Sequence, residues 1–166
     1  MCIRDSVWLS LRNAQRSVSI IARSLSLRFP DRAERIGEKA EAYCRQLRKL
    51  DQKIASWMEP FKGRAFLSYH PAWGYFARDY GLRQLVIEEG GKGPTPRLLL
   101  QRISEARREG IKVVFISPRS NRRTAEVIAR ELGGEVRVID PLRGDYLKNM
   151  EEVAREILRS FGWKGR

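Results

Sequence analysis

The sequence predicts an α/β fold in which a long helix leads into a four-stranded parallel sheet with flanking helices. Three observations carry that reading. Between residues 33 and 58, apolar side chains return at helical spacing, through Ala33, Ile36, Ala40, Tyr43, Leu47, Leu50, Ile54 and Met58. Beyond Gly63 the texture changes to short apolar runs that alternate with amphipathic segments, the pattern of strand–helix–strand units and so of a parallel sheet. Finally, His70 and Asp140 each close one of these apolar runs, and each is followed by a proline.

The first element is an amphipathic helix marked by Val7, Leu11, Ala14, Val18, Ile21 and Leu25, and it stops before Pro30. Asp31 is placed to cap the second helix, which runs for about seven turns. A helix of that length serves as half of a hairpin, as a coiled-coil arm or as a strut between two lobes. Its stripe carries small Ala and a Tyr instead of sustained Leu and Ile, which disfavours a dimeric coiled coil.

Strands are expected at 65–69, 84–87, 112–116 and 135–139, with helices at 72–80, 96–109, 122–132 and 147–161. Pro71 suits the first turn of a helix and Gly81 its C-terminal cap, while Trp73, Tyr75, Phe76 and Tyr80 recur at a helical period that favours core packing over base stacking. Gly133-Gly134 reads as another helix C-cap. Right-handed crossovers put all four strand ends on one edge of the sheet, which gathers His70, Glu88, Ser117 and Asp140. Ligands bind at such edges, because strand ends and helix N-termini converge there.

Imidazole and carboxylate are both good ligands for zinc and related divalent ions, so His70 and Asp140 are candidate metal ligands. The residues alone leave open a plainer reading, in which His70 is a hydrogen-bonded structural histidine and Asp140-Pro141 opens a turn. Gly90-Gly91-Lys92-Gly93 invites a phosphate-loop reading. It matches neither glycine-rich fingerprint, however, and Pro94 and Pro96 remove two backbone donors, so a connecting loop is expected. No serine sits in a G-x-S-x-G elbow, and the carboxylate pairs Glu88-Glu89 and Glu151-Glu152 are sequence neighbours that do not converge on one bond.

The chain has 166 residues, enough for a real core, with 42% hydrophobic residues and a formal net charge of +13. That charge would draw nucleic acid or anionic membrane. The basic residues are scattered, as in Arg107-Arg108 and Arg122-Arg123, without a nucleic-acid motif, so an arginine-rich solvated surface is expected and no specific nucleic-acid partner. The two cysteines, Cys2 and Cys44, imply no disulfide framework or multi-cysteine metal site. No apolar run is long enough to span a bilayer. Residues 1–6 lack the apolar stretch of a secretory signal, and Val7 begins in the middle of an amphipathic pattern, so a truncation or a cloning scar is expected there.

Taken together, His70-Pro71-Ala72-Trp73-Gly74-Tyr75-Phe76-Ala77, Tyr80-Gly81-Leu82, Gly91-Lys92-Gly93-Pro94-Thr95-Pro96 and Asp140-Pro141-Leu142 resemble, in order and spacing, the metal-binding receptors of bacterial ABC importers for zinc and manganese, the cluster A-I solute-binding proteins. The long helix looks like that family's rigid strut between two α/β lobes, and Val7-Trp8-Leu9-Ser10 looks like the start of the helix that follows its Asp-Pro-His motif. The resemblance implies that 7–30 are a remnant of the N-terminal lobe, 31–60 the inter-lobe helix and 61–166 the C-terminal lobe. It implies metal ligation by His70 and Asp140, with zinc as the transported ion and manganese or iron as alternatives. A histidine at that position favours zinc.

The resemblance further implies capture and presentation of the ion to a membrane permease without catalysis, in the periplasm or anchored at the cell surface. The family's Asp-Pro-His histidine falls on Ser6, the other N-lobe histidine lies upstream of this chain, and Ser117 stands where the family often has Glu or Gln. Two ligands leave a four-coordinate site open, so weak, exchangeable zinc binding is expected. Without the N-lobe, the apolar face from Val7 to Leu25 is open, and self-association through it is expected. The rival readings are a Rossmann-like nucleotide-binding enzyme domain and a basic nucleic-acid-binding domain.

Overall fold

A computed structural model describes residues 3–88 and 93–165. The elements run α1 (Leu11–Arg28), α2 (Ala33–Met58), β1 (Ala65–Ser68), α3 (Gly74–Asp79), β2 (Arg83–Val86), α4 (Pro96–Arg108), β3 (Val113–Ile116), α5 (Arg122–Glu131), β4 (Glu135–Val138) and α6 (Tyr146–Ser160). The chain is α/β with one four-stranded parallel sheet, in the order β2-β1-β3-β4. Every expected strand and helix in the second half is present, with ends moved by one or two residues. Glu89 to Lys92, which include most of the glycine-rich loop, lie outside the described residues.

The two central strands explain why the sheet is parallel and covered on both faces. Ala65, Phe66, Leu67 and Ser68 of β1 are all buried, as are Val113, Val114, Phe115 and Ile116 of β3. Alternate side chains go to opposite faces and enter two separate cores. Phe66, Val113 and Phe115 pack with α2, α3 and α6, while Leu67, Val114 and Ile116 pack with α4 and α5.

α1 and α2 form an antiparallel hairpin. From Cys44 onward α2 carries Cys44, Leu47, Leu50, Ile54 and Met58 into the core. Burying side chains such as Leu47 and Ile54 contributes roughly 1.5–3 kcal/mol each. α6 closes over the same face, where the Trp57 and Trp163 rings lie 5.4 Å apart, Phe61 stacks on Phe161 at 5.6 Å, and the Arg155 guanidinium sits 4.6 Å from the centre of Trp57. The outer part of the hairpin has only itself to pack on, and Ile20, Ile21, Leu25, Leu27 and Phe29 are exposed there.

Four local expectations are corrected. The first helix does not begin at Val7: Ile3–Leu9 form a 3-10 segment, and α1 starts after Ser10, whose Oγ accepts the Asn13 N–H at 3.0 Å. Asp31 does not cap the second helix. It sits in a 3-10 turn, Pro30–Arg32, and Arg32 precedes α2 with no side-chain cap. Pro71 is not in the first turn of α3; residues 71–73 make a separate turn, with the Ala72 N–H on the His70 carbonyl at 2.9 Å, and α3 begins at Gly74. The apolar face expected from Val7 to Leu25 is open only in part: Leu11 is buried, Ile21 and Leu25 of α1 are exposed, and so is Val7 in the 3-10 segment.

Gly81 does cap α3, at φ +68, and Gly133 caps α5 at φ +61. Gly134 has a different reason to be glycine: a Cβ there would lie 1.7 Å from the Lys112 carbonyl oxygen, where the α5–β4 connection crosses the start of β3. Gly134→Ala is therefore expected to cost about 1–3 kcal/mol through forced displacement of backbone, read as a lower denaturation midpoint with an unchanged slope.

Burial first, and then the Asp51 carboxylate, pushes the Tyr80 phenol far above its ordinary value of 10.0, and its hydroxyl donates to Asp51 Oδ1 at 2.8 Å. Burial raises Tyr146 in the same direction. In the unfolded chain both ionise near pH 10, whereas the folded chain keeps both protons. Their contribution is thus fully present below about pH 10 and is lost above it, at about 1.4 kcal/mol per pH unit for each tyrosine. Denaturant titrations between pH 9 and 11 are expected to show this fall, with a shallower slope in Tyr80→Phe.

Candidate metal centre at the carboxyl edge of the sheet

Chain direction reverses its lateral course at β1: the connection through α3 leads to β2 on one side, and the chain then crosses back to β3 on the other. This is the topological switch point of the sheet, where the loops diverge and leave a crevice. A cavity of about 670 Å³ lies there, lined by His70, Glu88, Ser117, Arg119, Asn121 and Asp140 among others. The expectation that the four strand ends gather on one edge is met, since His70, Glu88, Ser117 and Asp140 all line this one space.

Register explains the arrangement. Ser68 is level with Val86 on β2 and with Phe115 on β3, so two residues further along each strand His70 comes level with Glu88 and Ser117. The ladder continues past the strand ends: Glu88 N–H donates to the Tyr69 carbonyl at 2.9 Å, and Tyr69 N–H to the Phe115 carbonyl at 2.8 Å. β4 pairs Val138 with Ile116, which brings Ile139 level with Ser117 and sets Asp140 one residue beyond that row.

The backbone at His70 is held tightly. Its carbonyl accepts from Ser68 Oγ at 3.0 Å, from Gln84 Nε2 at 3.2 Å and from the Ala72 N–H at 2.9 Å. Gln84 Nε2 also donates to Ser68 Oγ at 2.7 Å. His70 Nδ1 lies 2.6 Å from Glu88 Oε2, and the two side chains are 20% and 13% exposed.

Asp140 is held differently. Its Oδ1 accepts the Leu142 N–H at 2.9 Å, and its carbonyl accepts from Asn149 Nδ2 at 2.8 Å, so the Asp-Pro corner is a turn whose side chain is partly engaged by its own backbone. Trp8 Nε1 donates to the Pro141 carbonyl at 3.3 Å, and Tyr146 Oη donates to the Trp8 carbonyl at 2.5 Å. Residues near the start of the chain therefore brace this corner.

His70 and Asp140 line one cavity, but no hydrogen bond joins them, and among the described residues no three His, Cys, Asp or Glu side chains converge closely enough to hold an ion. Ser6 is buried, its Oγ has no partner among the described residues, and it is not part of the cavity wall. Sequence reasoning placed Glu88 on the right edge without giving it a role. The signal was available in principle, because Glu88 closes β2 as His70 closes β1, but only the register makes them neighbours.

Comparison with known proteins gives a consistent result. Residues 5–160 match the family described as "Zinc-uptake complex component A periplasmic". The chain is 32% identical over 149 residues to the zinc-binding protein AdcA of Streptococcus pyogenes serotype M18 (strain MGAS8232), covering 87% of this chain and 28% of that protein. It is 27% identical over 140 residues to the high-affinity zinc uptake system protein ZnuA of Bacillus subtilis (strain 168), covering 83% of this chain and 44% of that one. Its fold superimposes on a crystal structure of ZnuA with a TM-score of 0.90 at 33% identity, over 93% of this chain and 61% of the other. The chain thus spans less than half the length of these two curated relatives and 61% of the solved chain. On the breadth of that match, the chain belongs to the zinc-uptake complex component A family, whose members are uptake components and not enzymes.

Proposed function

We propose that this chain is the ion-holding half of a zinc receptor for an ABC importer, in which His70 and Asp140 supply metal ligands from the carboxyl edge of the sheet. The observation that carries this reading is a histidine with a fixed backbone in a cavity at the topological switch point, in a chain whose family is described by zinc uptake. Imidazole nitrogen and carboxylate oxygen suit zinc, with manganese or iron as the less favoured cargo. Residues 7–30 would then be a helix of the N-terminal lobe, 31–60 the long helix between the lobes, and 61–166 the C-terminal lobe. The partner that takes the ion is a membrane permease, and the setting is the periplasm or the cell surface. Among the described residues no helix is long and apolar enough to cross a membrane.

Two protein ligands leave a tetrahedral ion half open to water, so zinc should bind weakly and exchange quickly. Calorimetric titration of the chain with zinc is expected to show weak binding that His70→Ala lowers by about 10-fold or more. Tight one-to-one binding that survives His70→Ala would overturn the placement of the ion.

The exposed apolar residues Ile20, Ile21, Leu25 and Leu27 on the outer hairpin support self-association of the isolated chain through α1. Light scattering after size exclusion should give a mass that rises with concentration and returns to that of a monomer in the double variant Ile21→Glu, Leu25→Glu. A clean monomer at every concentration would refute it.

A further inference from the structure

His70 has two ring nitrogens, and a metal can take only one that carries a free lone pair. In a neutral imidazole one nitrogen bears the proton, and the partner of that N–H decides which. Here Nδ1 faces Glu88 Oε2 at 2.6 Å, a separation suited to a charge-assisted hydrogen bond. An ionised carboxylate can only accept, so against the Glu88 carboxylate Nδ1 is the donor, and in a neutral ring the lone pair then lies on Nε2.

We infer that Glu88 is the positioning residue of this site: it fixes His70 in the Nδ1–H tautomer and turns Nε2 toward the incoming ion. The inference rests on the reading of His70 as a metal ligand. Glu88 is locked by its own backbone N–H on the Tyr69 carbonyl, and the His70 carbonyl is held by Ser68, Gln84 and Ala72. Both side chains are largely buried, so the bond is shielded from competing water. The parallel register holds β1 and β2 level, which prevents either partner from sliding past the other.

An acceptor behind a ligating imidazole does two things. It removes the entropy of ring flipping, so that one nitrogen is always presented. It also raises the electron density at the opposite nitrogen, which strengthens the bond to a divalent cation. Among the described residues no other side chain supports the Asp140 carboxylate, and its Oδ1 is shared with the Leu142 N–H. On this geometry His70 is the anchoring ligand and Asp140 the adaptable one.

His70 is the sole histidine of the chain, so two-bond proton–nitrogen NMR correlations of the metal-free protein report this one ring without assignment. At a pH of about 8.5, where an ordinary imidazole is neutral, the wild type is expected in the Nδ1–H form. Glu88→Ala should shift the ring toward the Nε2–H form preferred by an unrestrained imidazole, and zinc affinity should fall by about 10- to 100-fold. Glu88→Gln, whose amide oxygen can still accept from Nδ1–H, should restore the tautomer and recover most of the affinity. An Nε2–H ring in the wild type, or a Glu88→Ala variant with unchanged tautomer, would overturn the inference whatever happens to zinc. If instead the tautomer behaves as expected while His70→Ala leaves zinc binding intact, the positioning contact stands and the metal reading fails.

Discussion

The site depends on the burial of β1 and β3 on both faces. A strand whose every side chain is buried has no solvent-facing side, and its backbone groups must find partners in the ladder on both edges. β1 meets this demand by pairing with β2 on one side and β3 on the other, which fixes three strands in a single register. A shift by one residue would send Phe66 and Phe115 toward the wrong core, so the register is strongly specified. The level row of Glu88, His70 and Ser117 at the carboxyl edge follows from it, and so does the short bond between His70 and Glu88.

The same edge is reinforced from outside the sheet. Trp8 and Tyr146 tie the start of the chain to the Asp140-Pro141 corner, and Ser10 donates to Asp79 at the end of α3 while its Oγ also caps α1. Asp79 is almost fully buried and is neutralised by Arg78 at 2.6 Å. The corner that carries Asp140 and the end of α3 are thus held by residues far away in sequence.

Charge contributes little to this architecture. Many arginines sit in helical pairs one turn from a glutamate, such as Arg122 with Glu126 and Arg155 with Glu151. An exposed pair such as Arg122 with Glu126 contributes about 0.3–0.5 kcal/mol. The surplus of positive charge is therefore a surface property, while His70, Glu88, Ser117 and Asp140 line the cavity at the strand ends.

Periodicity alone was enough to determine the α/β class, the long second helix, the four strands and the edge on which His70 and Asp140 lie, because alternating apolar runs and helical stripes admit few other packings. Residue order also carried the resemblance to metal receptors. Only the tertiary structure decided three further points. The break at Ser10 and the late start of α3 depend on which backbone donors find partners, which no local pattern reveals. Gly134 is explained by an approach of the distant Lys112 carbonyl. The pairing of Glu88 with His70 requires the strand register and order, which are set by two cores packing at once on opposite faces of the sheet.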